Sequence, residues 1–315
     1  MGAKLFFENV NVLPLPLNRM SMAYRASQET GNQACCLPLP PMMDTNQHML
    51  QLKGFLNTPA LWKNTQFGLR QFQFPSVQLH RLVPEAIPQN IRLGHQMEHV
   101  FRQLLQTSKT HDILVHNLPI RRQKQTLGEL DFILRERSTM ELVHVELTFK
   151  FYIVNTAISE PVHRLMGPNK RDMFFTKVQK MKDQQFPLLR SPEAIAALKN
   201  LAGDPMGIRQ EACFKAQLFM PFGQDPANIR PLRHAAIKGY WLRLHDFKGP
   251  YFKGARFYLP HKREWPIDPH LGVAWQGHYE TLLEVNLHML KKNAPMVWML
   301  KANGDLEKFF VVWWP

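Results

Sequence analysis

The sequence predicts an α/β fold in which a mixed β-sheet is flanked by helices. One observation is the order of the elements between residues 92 and 222, which run helix, strand, strand, strand, helix, strand. The second is the strict alternation of apolar and polar residues over 141–154, the period of two that a strand requires. Together they predict an α/β core over roughly 90–222 with an α+β C-terminal extension.

The first helix of this core is predicted over 92–106. Its apolar residues follow the i, i+3, i+4, i+7 spacing of an amphipathic helix, and they are Leu93, Met97, Val100, Phe101, Leu104 and Leu105. Strands are expected over 112–120, 126–134 and 141–154. Helices over 170–185 and 192–201 and a strand over 213–222 complete the core.

The strand over 141–154 has two contrasting faces. Its apolar face comprises Val143, Val145, Leu147, Phe149, Phe151 and Ile153. Its polar face comprises His144, Glu146, Thr148, Lys150 and Tyr152. Because successive side chains of a strand point to opposite faces, we expect core on the first face and chemistry or solvent on the second.

The chain divides into three predicted regions. Residues 1–48 form a flexible, Pro-rich tail, because prolines recur there without helical or strand periodicity. Residues 49–225 hold the α/β core. Residues 226–315 form a basic and aromatic extension, with strands near 239–247 and 256–259, a helix near 279–292 and a closing hairpin that ends in 309–314.

The charge of the chain predicts a polyanionic partner. Lys and Arg number 39 against 25 Asp and Glu, a formal charge of +14. The segment 164–182 has six basic residues and one acidic residue, and the segment 238–263 has seven and one, interleaved with aromatic residues on which bases could stack. Lys170, Arg171, Lys177 and Lys180 are the predicted phosphate contacts.

Cysteine content and hydropathy predict a cytoplasmic protein that does not bind membranes. The three cysteines, Cys35, Cys36 and Cys213, support neither a disulfide framework nor a cysteine-based zinc site. Every apolar run is too short to span a bilayer, and Glu8 and Pro14 interrupt the region that a signal peptide would need.

Three acids and a lysine carry the predicted chemistry. Glu98 lies in the first helix, Asp131 in the second strand, and Glu146 and Lys150 in the third. Carboxylates that share a pocket repel one another unless a cation intervenes, so the set predicts a Mg²⁺ or Mn²⁺ site. An ammonium beside a metal-bound water could orient it or stabilise a transition state.

Two points in this assignment are open from the residues alone. Glu129 is either a fourth acid of the site or a structural residue in the turn after Gly128. The strand acids Asp131 and Glu146 could instead face solvent or pair with local cations such as Arg135 or Arg137.

The motifs around these acids resemble those of the PD-(D/E)XK nuclease superfamily. The similarity lies in Gly-Glu-Leu-Asp at 128–131 and Val-Glu-Leu-Thr-Phe-Lys at 145–150. The chain is most similar to a bacterial family with a domain of unknown function that is grouped with these nucleases. That similarity rests on Glu-x-x-x-Lys-Phe-Tyr ending at Tyr152, on Gly-Pro-Asn-x-x-Asp at 167–172, and on Lys177 and Gln184-Gln185.

The resemblance implies metal-dependent hydrolysis of phosphodiesters in nucleic acid, DNA in the first place. Asp131 and Glu146 would be metal ligands for Mg²⁺ or Mn²⁺, Glu98 would complete the metal site, and Lys150 would be the catalytic lysine. The usual motif has lysine two residues after the acid, where this chain has Thr148, and Lys150 lies about 6.6 Å further along the same strand face. The alternative is an inactive nucleic-acid-binding or assembly module on the same fold.

A third possibility is a zinc peptidase, because His95, Glu98 and His99 match H-x-x-E-H. Helical geometry argues against it. With Met97 at zero and about 100° per residue, the apolar face ends near Glu98, and both histidines point to the opposite side.

Overall fold

A nine-stranded mixed sheet organises the part of the chain that this computed structural model describes, residues 45–88, 90–199, 207–224 and 228–314. The strands are β1 (Thr65–Gln66), β2 (Leu69–Arg70), β3 (His111–Arg122), β4 (Gln125–Glu136), β5 (Leu142–Val154), β6 (Leu165–Met166), β7 (Arg209–Pro221), β8 (Ile237–Arg243), β9 (Arg256–Tyr258), β10 (Met296–Leu300) and β11 (Leu306–Val312). The helices are α1 (Thr45–Asn57), α2 (Leu93–Gln106), α3 (Phe174–Lys180), α4 (Phe186–Leu188), α5 (Pro192–Leu198), α6 (Leu244–Phe247) and α7 (His278–Leu290), with a π-helical turn Met181–Gln185 between α3 and α4.

The strand order β3-β4-β5-β7-β8-β11-β10-β9 combines antiparallel and parallel pairing. β3, β4 and β5 form an antiparallel meander, β7 pairs parallel to both β5 and β8, and β8 pairs parallel to β11. β6 adds to β5, while β1 and β2 form a separate two-stranded sheet. The α/β class with a mixed sheet and flanking helices is confirmed.

Both faces of β5 are buried, which corrects the expectation of one open face. The apolar face packs in a cluster with Phe55 of α1 and Phe101 of α2. On the other face Tyr152 packs against Phe174 of α3, and His144 contacts the ring of Phe186. A central strand of a mixed sheet receives cover on both sides, so its polar residues lie in the interior.

The predicted helix over 170–185 begins later and ends later than expected. Residues 167–172 form a turn, closed by hydrogen bonds from Lys170 N to Gly167 O (2.8 Å) and from Gly167 N to Asp172 O (2.6 Å). Lys170 has a φ of 57° there, which does not continue into a helix. Lys170 and Arg171 therefore precede α3, and the helical path then continues through the π turn to Leu188.

Two further boundaries differ from the prediction. The strand expected over 213–222 begins at Arg209, and the strand expected over 239–247 ends at Arg243. Residues 244–247 form α6, because the Asp246 carboxylate accepts a hydrogen bond from the Arg243 backbone N–H and caps a helical turn.

The C-terminal residues extend the core sheet. β8, β9, β10 and β11 join the sheet of β3–β7, so the described residues from 228 to 314 belong to the same compact unit as the core. The boundary predicted at 225/226 lies outside the described residues, and so does the predicted tail up to residue 44, whereas residues 45–48 begin α1. No described helix combines the length and the apolar character needed to cross a membrane.

Candidate functional site

Asp131 and Glu146 meet where β4 and β5 separate. The ladder pairs Ile133 with His144 and Phe132 with Val145, so the face of β4 that carries Asp131 lies beside the polar face of β5, as predicted. The backbone ladder ends at the pair Phe132 and Val145. Beyond it, the Leu147 backbone N–H donates a hydrogen bond to Asp131 Oδ2 (2.8 Å) and not to a backbone carbonyl of β4. Burial, followed by the charge of Glu146, raises the pKa of Asp131 well above its ordinary value.

The Glu146 carboxyl is enclosed by polar side chains. Burial raises its pKa to about 7. Its Oε1 lies 2.9 Å from His144 Nε2, and its Oε2 accepts a hydrogen bond from the Gln185 side chain. Burial lowers the pKa of His144 to about 4, and Gln210 Nε2 lies 3.1 Å from its Nδ1. A neutral His144 that accepts at Nδ1 has its proton on Nε2, so it donates to Glu146.

Lys177 of α3 belongs to the same cluster, although its sequence position suggested a phosphate contact. Its Nζ donates to Gln185 Oε1 (2.9 Å), the amide that in turn donates to Glu146. Burial lowers the pKa of Lys177, and the charges of Asp131 and Glu146 oppose that effect. Lys177 is thus a cation held close to two buried acids.

Glu98 and Glu129 form the other side of the cluster. Asn117 Nδ2 donates to Glu98 Oε2 (2.8 Å) and to Glu129 Oε1 (3.1 Å), which joins α2 to β4. The charge of Glu98 contributes to the raised pKa of Asp131. Asp131 and Glu146 thus lie on one face of the sheet, the charge of Glu98 acts on Asp131 from α2, and Glu129 shares the Asn117 side chain with Glu98.

Lys150 lies apart from the acid pair. Its Nζ forms an ion pair with Asp172 Oδ2 at 2.5 Å, and both side chains are about one-third exposed. Thr148 stands between Lys150 and Glu146 on the strand face, and its Oγ1 is buried without a hydrogen-bond partner among the described residues. The predicted catalytic lysine is thus paired with the acid of the 167–172 turn.

A cleft of about 730 Å³ opens beside the cluster. Glu98, Lys177 and residues 147–151 of β5 form part of its wall. The other cations that line it are Arg92, Lys150, Arg171, Lys180 and Lys262. Lys170 does not line it, because its Nζ lies 4.4 Å above the ring of Trp314. A positive cleft next to buried carboxyls suits an anionic substrate.

The basic and aromatic segment 238–263 mostly builds core. Phe247, Phe252 and Phe257 are fully buried around Phe309 of β11, whereas Tyr251 is about half exposed. These phenylalanines are not available to stack on bases. Lys262 is the member of this segment nearest the site, since it lines the cleft.

The H-x-x-E-H motif is held within α2 by its own hydrogen bond. His95 Nδ1 lies 3.1 Å from Glu98 Oε2, and the His95 side chain is 59% exposed. Glu98 also accepts a hydrogen bond from Asn117 of β3. Among the residues that the structure describes, no three His, Cys, Asp or Glu side chains are arranged as a metal-binding group.

The donor chemistry of the acid pair nevertheless fits a hard divalent cation. Asp131 and Glu146 offer carboxyl oxygens on one face of the sheet, and both have raised pKa values because burial removes their charges from water, an effect that the charge of Lys177 opposes. Protein donors occupy both Glu146 oxygens, so Gln185 or His144 would have to release one of them to a cation.

Sequence reasoning missed two polar partners of the cluster. His144 shares strand parity with Glu146, and this alternation could have identified it. Asn117 could not be identified from strand periodicity, because the backbone of β3 is irregular at this residue, with a φ of 49°, where its side chain contacts Glu98.

The fold and the site together define an α/β protein with a buried carboxyl cluster beside a basic cleft. Residues 33–312 match the family described as a domain of unknown function, DUF1853, and the chain belongs to this family. No curated protein and no solved structure matches the chain.

Proposed function

We propose that this protein is a metal-dependent nuclease that hydrolyses phosphodiesters in nucleic acid, DNA in the first place, on a PD-(D/E)XK-like core. The observation that carries the proposal is a pair of buried carboxyls, Asp131 and Glu146, on one face of the sheet and beside a cleft lined by cations. Burying two acids with Lys177 as the nearby cation opposes folding, and such perturbed groups next to a cleft are typical of functional sites.

Asp131 and Glu146 would hold Mg²⁺ or Mn²⁺, with Glu98 completing the acidic side of the site. When bound, a divalent cation would polarise a phosphoryl oxygen and lower the pKa of a coordinated water. His144 supports this role by donating to Glu146 and fixing the orientation of its carboxyl group.

Lys177 is the better candidate for the catalytic lysine. It lies near both acids, and its ammonium could stabilise the negative charge that develops on a phosphoryl group in the transition state. Lys150 has a positioning role in this proposal, because its ion pair with Asp172 anchors the 167–172 turn at the cleft. Arg171, Lys180 and Lys262 would contact backbone phosphates.

The decisive experiment compares the wild-type protein with Asp131→Asn. Purified full-length chains are incubated with single-stranded, double-stranded and branched DNA and with RNA, in Mg²⁺ or Mn²⁺. We expect cleavage by the wild type and a loss of at least ~100-fold in the variant. Because the amide can still accept from Leu147 N while it removes a buried charge, the melting temperature should stay unchanged or rise. Cleavage that persists in Asp131→Asn would contradict the proposal.

A specific observation favours a second function, a nucleic-acid-binding module without turnover. Both oxygens of Glu146 accept hydrogen bonds from side chains, and Lys150 is engaged with Asp172. Binding of nucleic acid without cleavage in either metal would support this module instead of the nuclease.

A further inference from the structure

Helix α7 exposes a continuous apolar stripe on its outer face. Tyr279 is 70% exposed, Leu283 52%, Leu287 58% and Leu290 81%. The opposite face of the helix is part of the protein core, where Thr281 and Val285 are fully buried. Four large apolar side chains in one row on an otherwise packed helix are more than the scattered single residues that a protein surface normally carries.

The four residues lie on one line along the helix. Their spacing of four, four and three residues keeps them within about 80° of one another at about 100° per residue, on the side opposite Val285. The helix is about 20 Å long, and the stripe runs over nearly all of it. This is the arrangement by which one helix packs along another.

The charges beside the stripe determine the orientation of a partner helix. Glu280 and Lys291 lie on the same flank, at opposite ends of the stripe, and both are exposed. In an antiparallel pair, equal flanks of the two helices face each other, so an acid at one end meets a base from the other end of the partner. Glu284 lies further round the helix, where it interacts with His288.

We propose that the exposed face of α7 is a self-association surface through which two copies of this chain pack antiparallel. The two-fold axis crosses the stripe midway between Leu283 and Leu287. Leu283 then packs against the partner's Leu287, and Tyr279 against the partner's Leu290. Glu280 pairs with the partner's Lys291 twice, once on each side of the axis. A parallel pair would instead bring opposite flanks together and set Glu280 and the partner's Lys291 at opposite ends of the interface, so this ion pair could not form.

The first test measures the mass of the full-length protein by sedimentation equilibrium. One helix buries less than the roughly 800 Å² per partner of a standard interface, so the sample is studied from about 1 µM to about 200 µM. We expect the mass to rise from 36.8 kDa towards twice that value with concentration. The double variant Leu283→Glu/Leu287→Glu should remain monomeric throughout.

Two controls make the result specific. Leu306→Glu, at a 47% exposed leucine at the start of β11, introduces the same charge elsewhere and should leave self-association unchanged. Glu280→Lys alone and Lys291→Glu alone should each weaken self-association roughly fivefold, and the double swap should restore it. A monomeric wild type at every concentration, or a double swap that fails to restore association, would overturn the antiparallel pair.

Discussion

The two lysines considered for the site, Lys150 and Lys177, occupy different environments, and this difference assigns them different roles. Lys177 is largely buried beside Gln185 and close to Asp131 and Glu146. Lys150 is about one-third exposed and paired with Asp172. The Lys150 ammonium is already engaged by the Asp172 carboxylate. The Lys177 ammonium lines the cleft close to the two acids, where it can stabilise negative charge that develops on a bound phosphoryl group.

We therefore predict that Lys177→Met lowers the rate of nucleic-acid cleavage more than Lys150→Met does. Under the proposed nuclease function, loss of Lys177 should lower kcat by about 10²–10³, the usual effect of removing one electrostatic stabiliser. Loss of Lys150 should cost less than about tenfold. Single-turnover cleavage rates decide this, and equal losses in the two variants would contradict the assignment.

A second residue-scale feature is the buried amine of Lys308 in β11. Its Nζ donates to Gln217 Oε1 (2.7 Å) and to Trp265 O (2.9 Å), and it lies 4.8 Å above the ring of Trp298. No carboxylate pairs with it among the described residues. Burial therefore lowers its pKa from 10.5 to about 7.

This shift predicts that stability rises with pH above neutrality. The folded protein releases the Lys308 proton near pH 7, whereas the unfolded chain keeps it up to about pH 10.5. Between about pH 7 and 9.5 the unfolded state binds more protons, so this residue raises the free energy of unfolding by up to about 1.4 kcal/mol per pH unit.

Denaturant unfolding across this pH range tests the prediction. Lys308→Met should flatten the slope, whereas Lys253→Met, at an exposed lysine, should leave it unchanged. Identical slopes in the wild type and Lys308→Met would show that Lys308 does not titrate in this range.

At the scale of elements, packing decides whether a helical glycine can be replaced. Gly54 lies in α1, where an added Cβ would be 2.3 Å from the Pro266 carbonyl oxygen. Gly94 lies in the first turn of α2, where an added Cβ would meet nothing within 4 Å. Alanine has a higher helix propensity than glycine at both positions. The space around the added Cβ therefore decides whether the substitution raises or lowers the free energy of unfolding.

We predict opposite effects for the two alanine variants. Gly54→Ala should lower the free energy of unfolding by about 1–3 kcal/mol, because α1 must move away from Pro266. Gly94→Ala should raise it by up to about 1 kcal/mol. Chemical denaturation measures both, and a stabilised Gly54→Ala would mean that α1 does not pack as closely on this segment.

At the scale of the whole molecule, the proposed function requires the excess positive charge where it borders the cleft. Arg171 and Lys180 line the cleft, whereas Lys170 lies over Trp314 and Lys177 lies among the acids. Only some of the +14 is therefore placed to contact a substrate. Salt dependence distinguishes these contributions, because each phosphate contact adds to the slope of log K against log salt concentration.

Replacement of Arg171 or Lys180 by alanine should weaken nucleic-acid binding and reduce the salt slope by about 0.7–0.9 each. Lys63→Ala, at an exposed lysine that does not line the cleft, is the matched control and should leave the slope unchanged. The binding is measured by fluorescence anisotropy in EDTA, so that cleavage does not interfere. Equal slopes for all variants would place the phosphate contacts elsewhere.

Much of the core could be predicted from local patterns. The periodicity over 92–106 and 141–154 identified α2 and β5 to within a residue at each end, and the parity of Asp131 placed it correctly beside Glu146. The start of α3 could not be predicted in this way, because a basic run looks the same in a helix as in the turn that precedes it.

The sequence by itself determined the α/β class of the fold, because strand and helix periods are local properties of the chain, and the strand parity of Asp131 and Glu146 placed these two acids on one face of the sheet. Its motifs also indicated a family with a domain of unknown function. Tertiary structure decided which residues surround these acids. The packing of α3 and the π turn over β5 buries its polar face, brings Lys177 and Gln185 to Glu146, and leaves Lys150 to Asp172. The contacts of Glu146 with Gln185 and of Lys150 with Asp172 join residues 39 and 22 positions apart, and such partners depend on how elements pack rather than on any period in the sequence.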